Sequence, residues 1–140
     1  MKKALLIVSF LLCSMVGQAQ SEIALIEKTL NDYLQGTSLA KPDQVREAFH
    51  ADLNLYSVDQ EAKLKVWKGS DYIAGFEGAE PSNRLGKIVA IDFENDAAIA
   101  KAEISYPNSP LVFIDYFMLL KVDGKWTIIH KMYTRKPTNN

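Results

Sequence analysis

Cysteine is nearly absent from this chain of 140 residues, and its one cysteine, Cys13, lies in an apolar N-terminal segment. The segment at 4–12 reads ALLIVSFLL, follows two lysines and is too short to cross a membrane as a helix. Small residues at Gly17 and Ala19 then predict a signal peptide, residues 1–19, cleaved after Ala19. A retained membrane anchor is the alternative. After cleavage the protein would be periplasmic or secreted and would contain no cysteine, which excludes disulfides.

The chain also lacks any block or stripe of basic residues. Without the two lysines of the predicted signal peptide, 14 basic residues stand against 17 acidic ones, a net charge of about −3. This balance argues against nucleic-acid binding. The remaining chain of about 120 residues has the size of one domain, which we place at 20–135, before a disordered tail at 136–140.

Motifs that carry well-known chemistry are missing too. The sequence contains no phosphate-binding glycine loop, no nucleophile elbow and no metal-ligand spacing. Its two histidines, His50 and His130, have no cluster of further ligands near them in the sequence. We therefore predict neither a metal nor a cofactor.

The strongest local signal is the stretch at 111–133, which reads LVFIDYFMLLKVDGKWTIIHKMY. Asp-Gly at 123–124, between two alternating apolar runs, predicts a β-hairpin with a two-residue turn. That turn sets a register in which Phe117 faces His130. Because side chains alternate along a strand with a period of two, Asp115 and His130 are then diagonal neighbours on one largely apolar face.

The other elements are predicted from periodicity and from turn residues. Apolar residues at helical spacing predict a helix from Ser21 to Gly36, where the glycine ends it. Pro42 begins a short second helix that runs through His50, and Gly69 begins a third. Alternating patterns predict six strands, at 53–58, 64–67, 86–94 and 97–106 and in the two arms of the hairpin.

Three alanines, Ala98, Ala100 and Ala102, occupy the inner face of the fourth predicted strand. Turns at 95–96 and 107–110 set a register that places Ala102 opposite Asp115. Small residues there either let a helix approach the sheet closely or leave a hollow, and close packing is the simpler interpretation.

This order of elements resembles the nuclear-transport-factor-2-like superfamily, which includes the ketosteroid isomerases, scytalone dehydratase and the polyketide-cyclase-like proteins. The segments that carry the resemblance are AFHADLNLYSV at 48–58, GSDYIAGF at 69–76, DAAIAKAEI at 96–104 and FIDYFMLLKVDGKWTIIHKMY at 113–133. The last two are similar, more narrowly, to the family labelled putative lumazine-binding.

The resemblance implies an α+β fold shaped like a cone. Three N-terminal helices would pack on a strongly curved, mixed, mainly antiparallel six-stranded sheet, with a pocket between the two layers. It also implies a homodimer formed through the convex face of the sheet, which is too apolar to be left in water. That face is predicted to carry Ile114, Tyr116, Met118, Leu120 and Ile129.

Asp115 and His130 are the residues with acid–base chemistry that strand parity places inside the predicted cone. A carboxylate that orients an imidazole suits proton transfer. A structural pair that satisfies a buried carboxylate is the alternative. Aromatic residues at strand spacing either line a pocket for a flat ligand or fill the core. The predicted ligand-binding residues are Trp67, Ala102, Tyr106, Phe113, Asp115, Phe117 and His130.

Three functions remain open from the sequence. The first is an exported protein that binds a small apolar or aromatic molecule in a mostly apolar pocket. The second is an isomerase or dehydratase-type enzyme that uses Asp115 and His130 as acid and base. The third is a non-catalytic dimeric structural or interaction domain whose cone is filled. None of these functions requires a nucleic acid or a stable membrane anchor.

Overall fold

Three helices and six strands form residues 21–136, the part of the chain that the computed structural model describes. The helices are α1 at 21–38, α2 at Pro42–Ala48 and α3 at Gly69–Ala74. The strands are β1 Phe49–Val58, β2 Leu64–Lys68, β3 Leu85–Glu94, β4 Ala97–Ser105, β5 Val112–Val122 and β6 Lys125–Arg135.

Both predicted terminal segments fall largely outside these residues. The predicted signal peptide, at 1–19, and positions 137–140 of the predicted tail lie outside the described part of the chain. Lys136, the first residue of that predicted tail, donates its backbone N–H to Val112 O at 2.8 Å. Within residues 21–136, no helix is long and apolar enough to span a membrane.

The six strands form one sheet in the order β2-β1-β6-β5-β4-β3. Every neighbouring pair is antiparallel except β1 and β6, which run parallel. The sheet is therefore mixed and mainly antiparallel, and the helices pack on its concave face. The predicted α+β cone is confirmed.

Helix α1 provides the apolar layer that covers the sheet. Its side chains Ile26, Leu30 and Tyr33 are almost completely buried. They share one core with Trp126 and Ile128 of β6. Burying each large apolar side chain contributes about 1.5–3 kcal/mol relative to leaving it in water, so this layer supplies much of the stability.

The helix packs against small residues, as the alanine pattern predicts. Ala98, Ala100 and Ala102 are buried in the same core as α1. The predicted register of β4 and β5, with Ala102 opposite Asp115, is confirmed. Close packing extends to Gly86 on β3, where an added Cβ would lie 2.5 Å from Leu34 Cδ2.

Gly36 does not end α1, contrary to the prediction. The helix continues to residue 38, and a Cβ at Gly36 would lie 2.8 Å from Val45 Cγ2 of α2. This glycine therefore allows α1 and α2 to approach each other. Helix α2 is also shorter than predicted, because Phe49 is extended and pairs with Ile128 of β6, so His50 lies in β1.

The register of the β5–β6 hairpin is as predicted only near its turn. Val122 pairs with Lys125 across the predicted Asp-Gly turn, but a bulge follows between the pairs Met118–His130 and Leu119–Ile128. The bulge inserts one extra residue into β6 and so reverses which face each later side chain occupies. Consequently, Phe117 pairs with Lys131 instead of His130.

We predict that Gly86→Ala destabilises the protein by about 1–3 kcal/mol, because the new methyl group overlaps Leu34 and must displace α1 from the sheet. The free energy of unfolding in urea measures this effect. Gly75→Ala is the control, since Gly75 has helical backbone angles and a Cβ there would lie 3.3 Å from Tyr72 O. Equal stabilities for the two variants would contradict the account of close packing.

Candidate ligand-binding site

A wide cleft of about 1070 Å³ opens at the end of the sheet where β5 begins and β6 ends. The turn between β1 and β2 borders it, and Tyr72 of α3 and Arg84 of the loop before β3 also line it. Aromatic rings supply much of its apolar wall. They include Trp67, Tyr72, Tyr106, Phe113 and Tyr133.

Asp115 lies at the floor of this cleft, where its side chain is only 4% exposed. Its Oδ2 accepts a hydrogen bond of 2.7 Å from the Tyr33 hydroxyl of α1. The same oxygen accepts one of 3.0 Å from Lys131 Nζ of β6. An isolated buried carboxylate would be very unfavourable, and these two donors offset the cost of burying it.

Lys131 is buried as deeply as its partner, with 4% of its side chain exposed. Besides the ion pair, its ammonium group lies 4.6 Å from the centre of the Tyr133 ring and 5.7 Å from that of Tyr72. Aromatic faces attract cations, and the attraction grows when both groups are removed from water. The lysine is thus held in one place between a carboxylate and aromatic rings.

Tyr33 connects the helix layer to this charged pair. Its hydroxyl lies 3.3 Å from the Tyr72 hydroxyl as well as 2.7 Å from Asp115 Oδ2. Burial raises the pKa of the Tyr33 phenol well above 10, and the neighbouring Tyr72 and Asp115 raise it further. The phenol therefore keeps its proton at neutral pH and remains a donor to Asp115.

The predicted contact between Asp115 and His130 is wrong. The bulge in β6 turns His130 to the other face of the sheet, where it pairs with Met118 and lies edge-on to Tyr56 at 5.5 Å. His130 does not line the cleft. Its Nδ1 is buried and has no hydrogen-bond partner among residues 21–136.

The structure divides the predicted ligand-binding residues into two groups. Trp67, Tyr106, Phe113 and Asp115 line the cleft. Ala102 and Phe117 belong to the packed core beneath α1 and do not reach the cleft. No group of three or more potential metal ligands among His, Cys, Asp and Glu occurs within residues 21–136.

Five residues that the site uses are absent from the predicted set: Tyr33, Tyr72, Arg84, Lys131 and Tyr133. Strand parity counted from the Asp-Gly turn places Lys131 on the opposite face, because that count does not include the bulge. Helical spacing identifies Tyr33 only as an apolar position of α1. Arg84 lies in a loop, where no periodicity applies.

Comparison with known proteins places the chain in a family. A family model described as putative lumazine-binding matches residues 21–134. Aldolase FrzH from Cladobotryum sp is 27% identical over 122 residues, which cover 84% of this chain and 94% of that protein.

Solved structures share the fold. An NTF2-like protein of unknown function from Shewanella baltica OS155 has a TM-score of 0.76 and 29% identity, and the match covers 84% of this chain and 96% of that one. A putative scytalone dehydratase from Novosphingobium aromaticivorans DSM 12444 has a TM-score of 0.65 and 18% identity, with 89% and 90% covered. At that identity the likeness concerns the fold alone.

We predict that Lys131→Met lowers the free energy of unfolding by about 3–5 kcal/mol, because it leaves the buried Asp115 carboxylate without its cation. The matched control is Lys125→Met, which breaks an ion pair with Glu47 whose side chains are 54% and 71% exposed. That change should cost about 0–1 kcal/mol. Urea denaturation measures the free energy of unfolding of both variants. Similar decreases in the two variants would show that burial of the Asp115–Lys131 pair is unimportant for stability.

A second prediction concerns alkaline pH. Because the pKa of Tyr33 is raised in the folded state, its protonated form stabilises the fold fully below about pH 10. That stabilisation is lost as the pH rises from about 10 through the higher folded pKa. The free energy of unfolding should therefore fall less steeply above pH 10 in Tyr33→Phe than in the wild type. Tyr116→Phe, at an exposed tyrosine, should keep the wild-type slope, and an unchanged slope in Tyr33→Phe would contradict the prediction.

Proposed function

The chain belongs to the putative lumazine-binding family, and we propose that it binds a small, flat organic molecule in the cleft at the end of the sheet. The observation that carries this proposal is an open aromatic cleft with a polar floor. Ligand sites typically combine an apolar lining with a few fixed polar groups that orient the ligand. Here, rings such as Tyr106 and Phe113 form the walls, and Asp115 with Lys131 forms the floor.

The floor has unused hydrogen-bonding capacity. Both hydrogen bonds to Asp115 go to Oδ2, so Oδ1 has no donor among residues 21–136. Oδ1 can accept a hydrogen bond from an N–H or O–H group of the ligand. The Tyr72 hydroxyl, which also borders the cleft, offers a second polar contact. A heterocycle with polar groups along one edge suits this arrangement.

The two tryptophans allow a direct test of ligand binding. Trp67 lines the cleft and is 37% exposed, whereas Trp126 is 1% exposed in the core. Ligands that enter the cleft should change the fluorescence of Trp67 in a saturable way. Trp67→Phe should abolish that change, while the emission of Trp126 remains as the control.

The titration would use residues 20–140 with lumazine, riboflavin, a steroid and an aromatic polyketide. Saturation with at least one of them, accompanied by a rise in melting temperature, is the expected result. A response that persists in Trp67→Phe, or no saturation with any compound, would contradict binding in this cleft.

An enzyme that removes a proton next to a carbonyl group is the second candidate. Asp115 Oδ1 is available as a base, and Lys131 and Tyr33 hold the carboxylate in place through its other oxygen. The likeness to a protein described as an aldolase favours this candidate, since aldol chemistry begins with such a proton transfer. His130 takes no part in it, because it lies on the other face of the sheet.

Solvent deuterium exchange at the carbon next to the carbonyl group of a bound ketone tests the enzyme. A catalytic base contributes about 10²–10⁴-fold, so Asp115→Asn should lose exchange by that factor while still binding the ketone. A rate of exchange that does not differ between the two proteins would exclude Asp115 as the base.

We also propose that residues 1–19 direct export and are removed. Support comes from their composition, with two lysines, an apolar run and small residues before the expected cleavage position. Mass spectrometry of the protein expressed in its native host should find Gln20 at the N-terminus in the exported fraction. An intact Met1 in the cytoplasmic fraction would refute export.

A homodimer through the outer face of the sheet is proposed as well. Large apolar side chains are exposed there, including Ile99 at 57%, Met118 at 49% and Met132 at 54%. Ile99 and Met118 are paired across β4 and β5, so they form part of one continuous patch. Light scattering should report twice the monomer mass, and Met118→Glu should reduce it to the monomer mass. A monomeric wild type would contradict the dimer.

A further inference from the structure

The cleft contains more positive than negative charge. Its floor holds a buried carboxylate, on Asp115, a buried cation, on Lys131, and a half-buried cation, on Arg84. At the mouth, two further cations and two further carboxylates balance one another: Lys65, Arg135, Asp59 and Glu61. The lining as a whole therefore has an excess of one positive charge, although the whole chain has a net charge of −1.

Arg84 contributes to this excess as the cation of the floor that has no carboxylate partner. It makes no ion pair with any carboxylate of residues 21–136, and Asp115 is paired with Lys131. Its guanidinium lies 5.4 Å from the centre of the Tyr33 ring, and its Nη2 donates a hydrogen bond to Thr37 Oγ1. An arginine keeps its proton in proteins, so this charge persists at every physiological pH.

One donor of Arg84 has no acceptor. Its Nε is buried and has no hydrogen-bond partner among residues 21–136. An unsatisfied buried donor is unfavourable, and a guanidinium is shaped to bind two oxygens of a planar anion at once. Arg84 lines the cleft and therefore offers a ligand carboxylate an uncompensated positive charge.

Lys131 can add to the same interaction. Its ammonium group has three donors, and Asp115 Oδ2 is its one oxygen acceptor among residues 21–136. Asp115 would not repel a second anion strongly, because Lys131 and the Tyr33 hydroxyl already compensate its charge. An anionic oxygen in the cleft thus meets two cations: Arg84, which has no carboxylate partner, and Lys131, whose charge is shared with Asp115.

We propose that the ligand is a planar aromatic acid whose carboxylate binds Arg84, with Lys131 as a second contact. Its ring system would lie against the aromatic wall that includes Tyr106 and Phe113. This inference rests on the proposed ligand-binding function and adds the chemical class of the ligand. Aromatic amides and alcohols of the same shape should bind more weakly, because they leave the positive charge uncompensated.

A pair of probes that differ only in charge tests the proposal. Naphthalene-2-carboxylate and naphthalene-2-carboxamide would be titrated calorimetrically into wild-type residues 20–140. We expect the carboxylate to bind at least about tenfold more tightly than the amide, as a charge-assisted hydrogen bond implies. The preference should weaken only in part in 0.5 M salt, because Arg84 is half-buried and is screened less than a fully exposed charge.

Three variants identify the residue responsible. Arg84→Gln should remove the preference for the carboxylate, and Arg84→Lys should retain part of it, since lysine keeps the charge but loses the planar fork. Lys125→Gln removes an exposed cation outside the cleft lining and should leave the preference unchanged. The wild-type comparison stands even if Arg84→Gln does not fold.

The outcomes separate this proposal from the one on which it rests. Equal or tighter binding of the amide in the wild type would overturn the aromatic-acid class and leave ligand binding intact. A preference that survives in Arg84→Gln would overturn the role of Arg84. If neither probe binds and Trp67 fluorescence is unresponsive to every compound, the cleft is not a ligand site.

Discussion

The hydrogen-bonded carboxylate of Asp115 is the constraint on which this fold and its site depend. Asp115 is only 3% exposed and lies within an apolar layer. Burial of a carboxylate there is energetically tolerable only if hydrogen-bond donors are fixed around it. Those donors come from two other elements, since Tyr33 belongs to α1 and Lys131 to β6. The Asp115 carboxylate therefore helps to fix both the position of α1 on the sheet and the orientation of Lys131 in β6.

The bulge in β6 determines which side chain of that strand lies beside Asp115. Without the extra residue, an imidazole would face the helix layer and the ammonium of Lys131 would point outward. With it, the ion pair of Asp115 and Lys131 lies at the floor of the cleft, and the lysine lies close to Tyr72 and Tyr133. A cleft floor with one buried cation, one half-buried cation and a single carboxylate favours an anionic ligand over a cationic one.

The fold could be predicted largely from short stretches of sequence, because the turn residues of each hairpin indicate how its two strands pair. The turns at 95–96 and 123–124 set the pairing near them correctly, and residue spacing located all three helices. The site was harder to predict. A bulge has no reliable signature in one sequence, so parity beyond it assigned Lys131 to the wrong face. Arg84 reaches the cleft from a loop, where neither helical nor strand periodicity applies.

A crystal structure of residues 20–140 with naphthalene-2-carboxylate would test the central claim most directly. The account predicts the ligand in the aromatic cleft, its carboxylate within hydrogen-bonding distance of Arg84, and Asp115 still bound to Tyr33 and Lys131. A ligand seated elsewhere, or an Asp115 carboxylate that contacts His130 in place of Lys131, would contradict it.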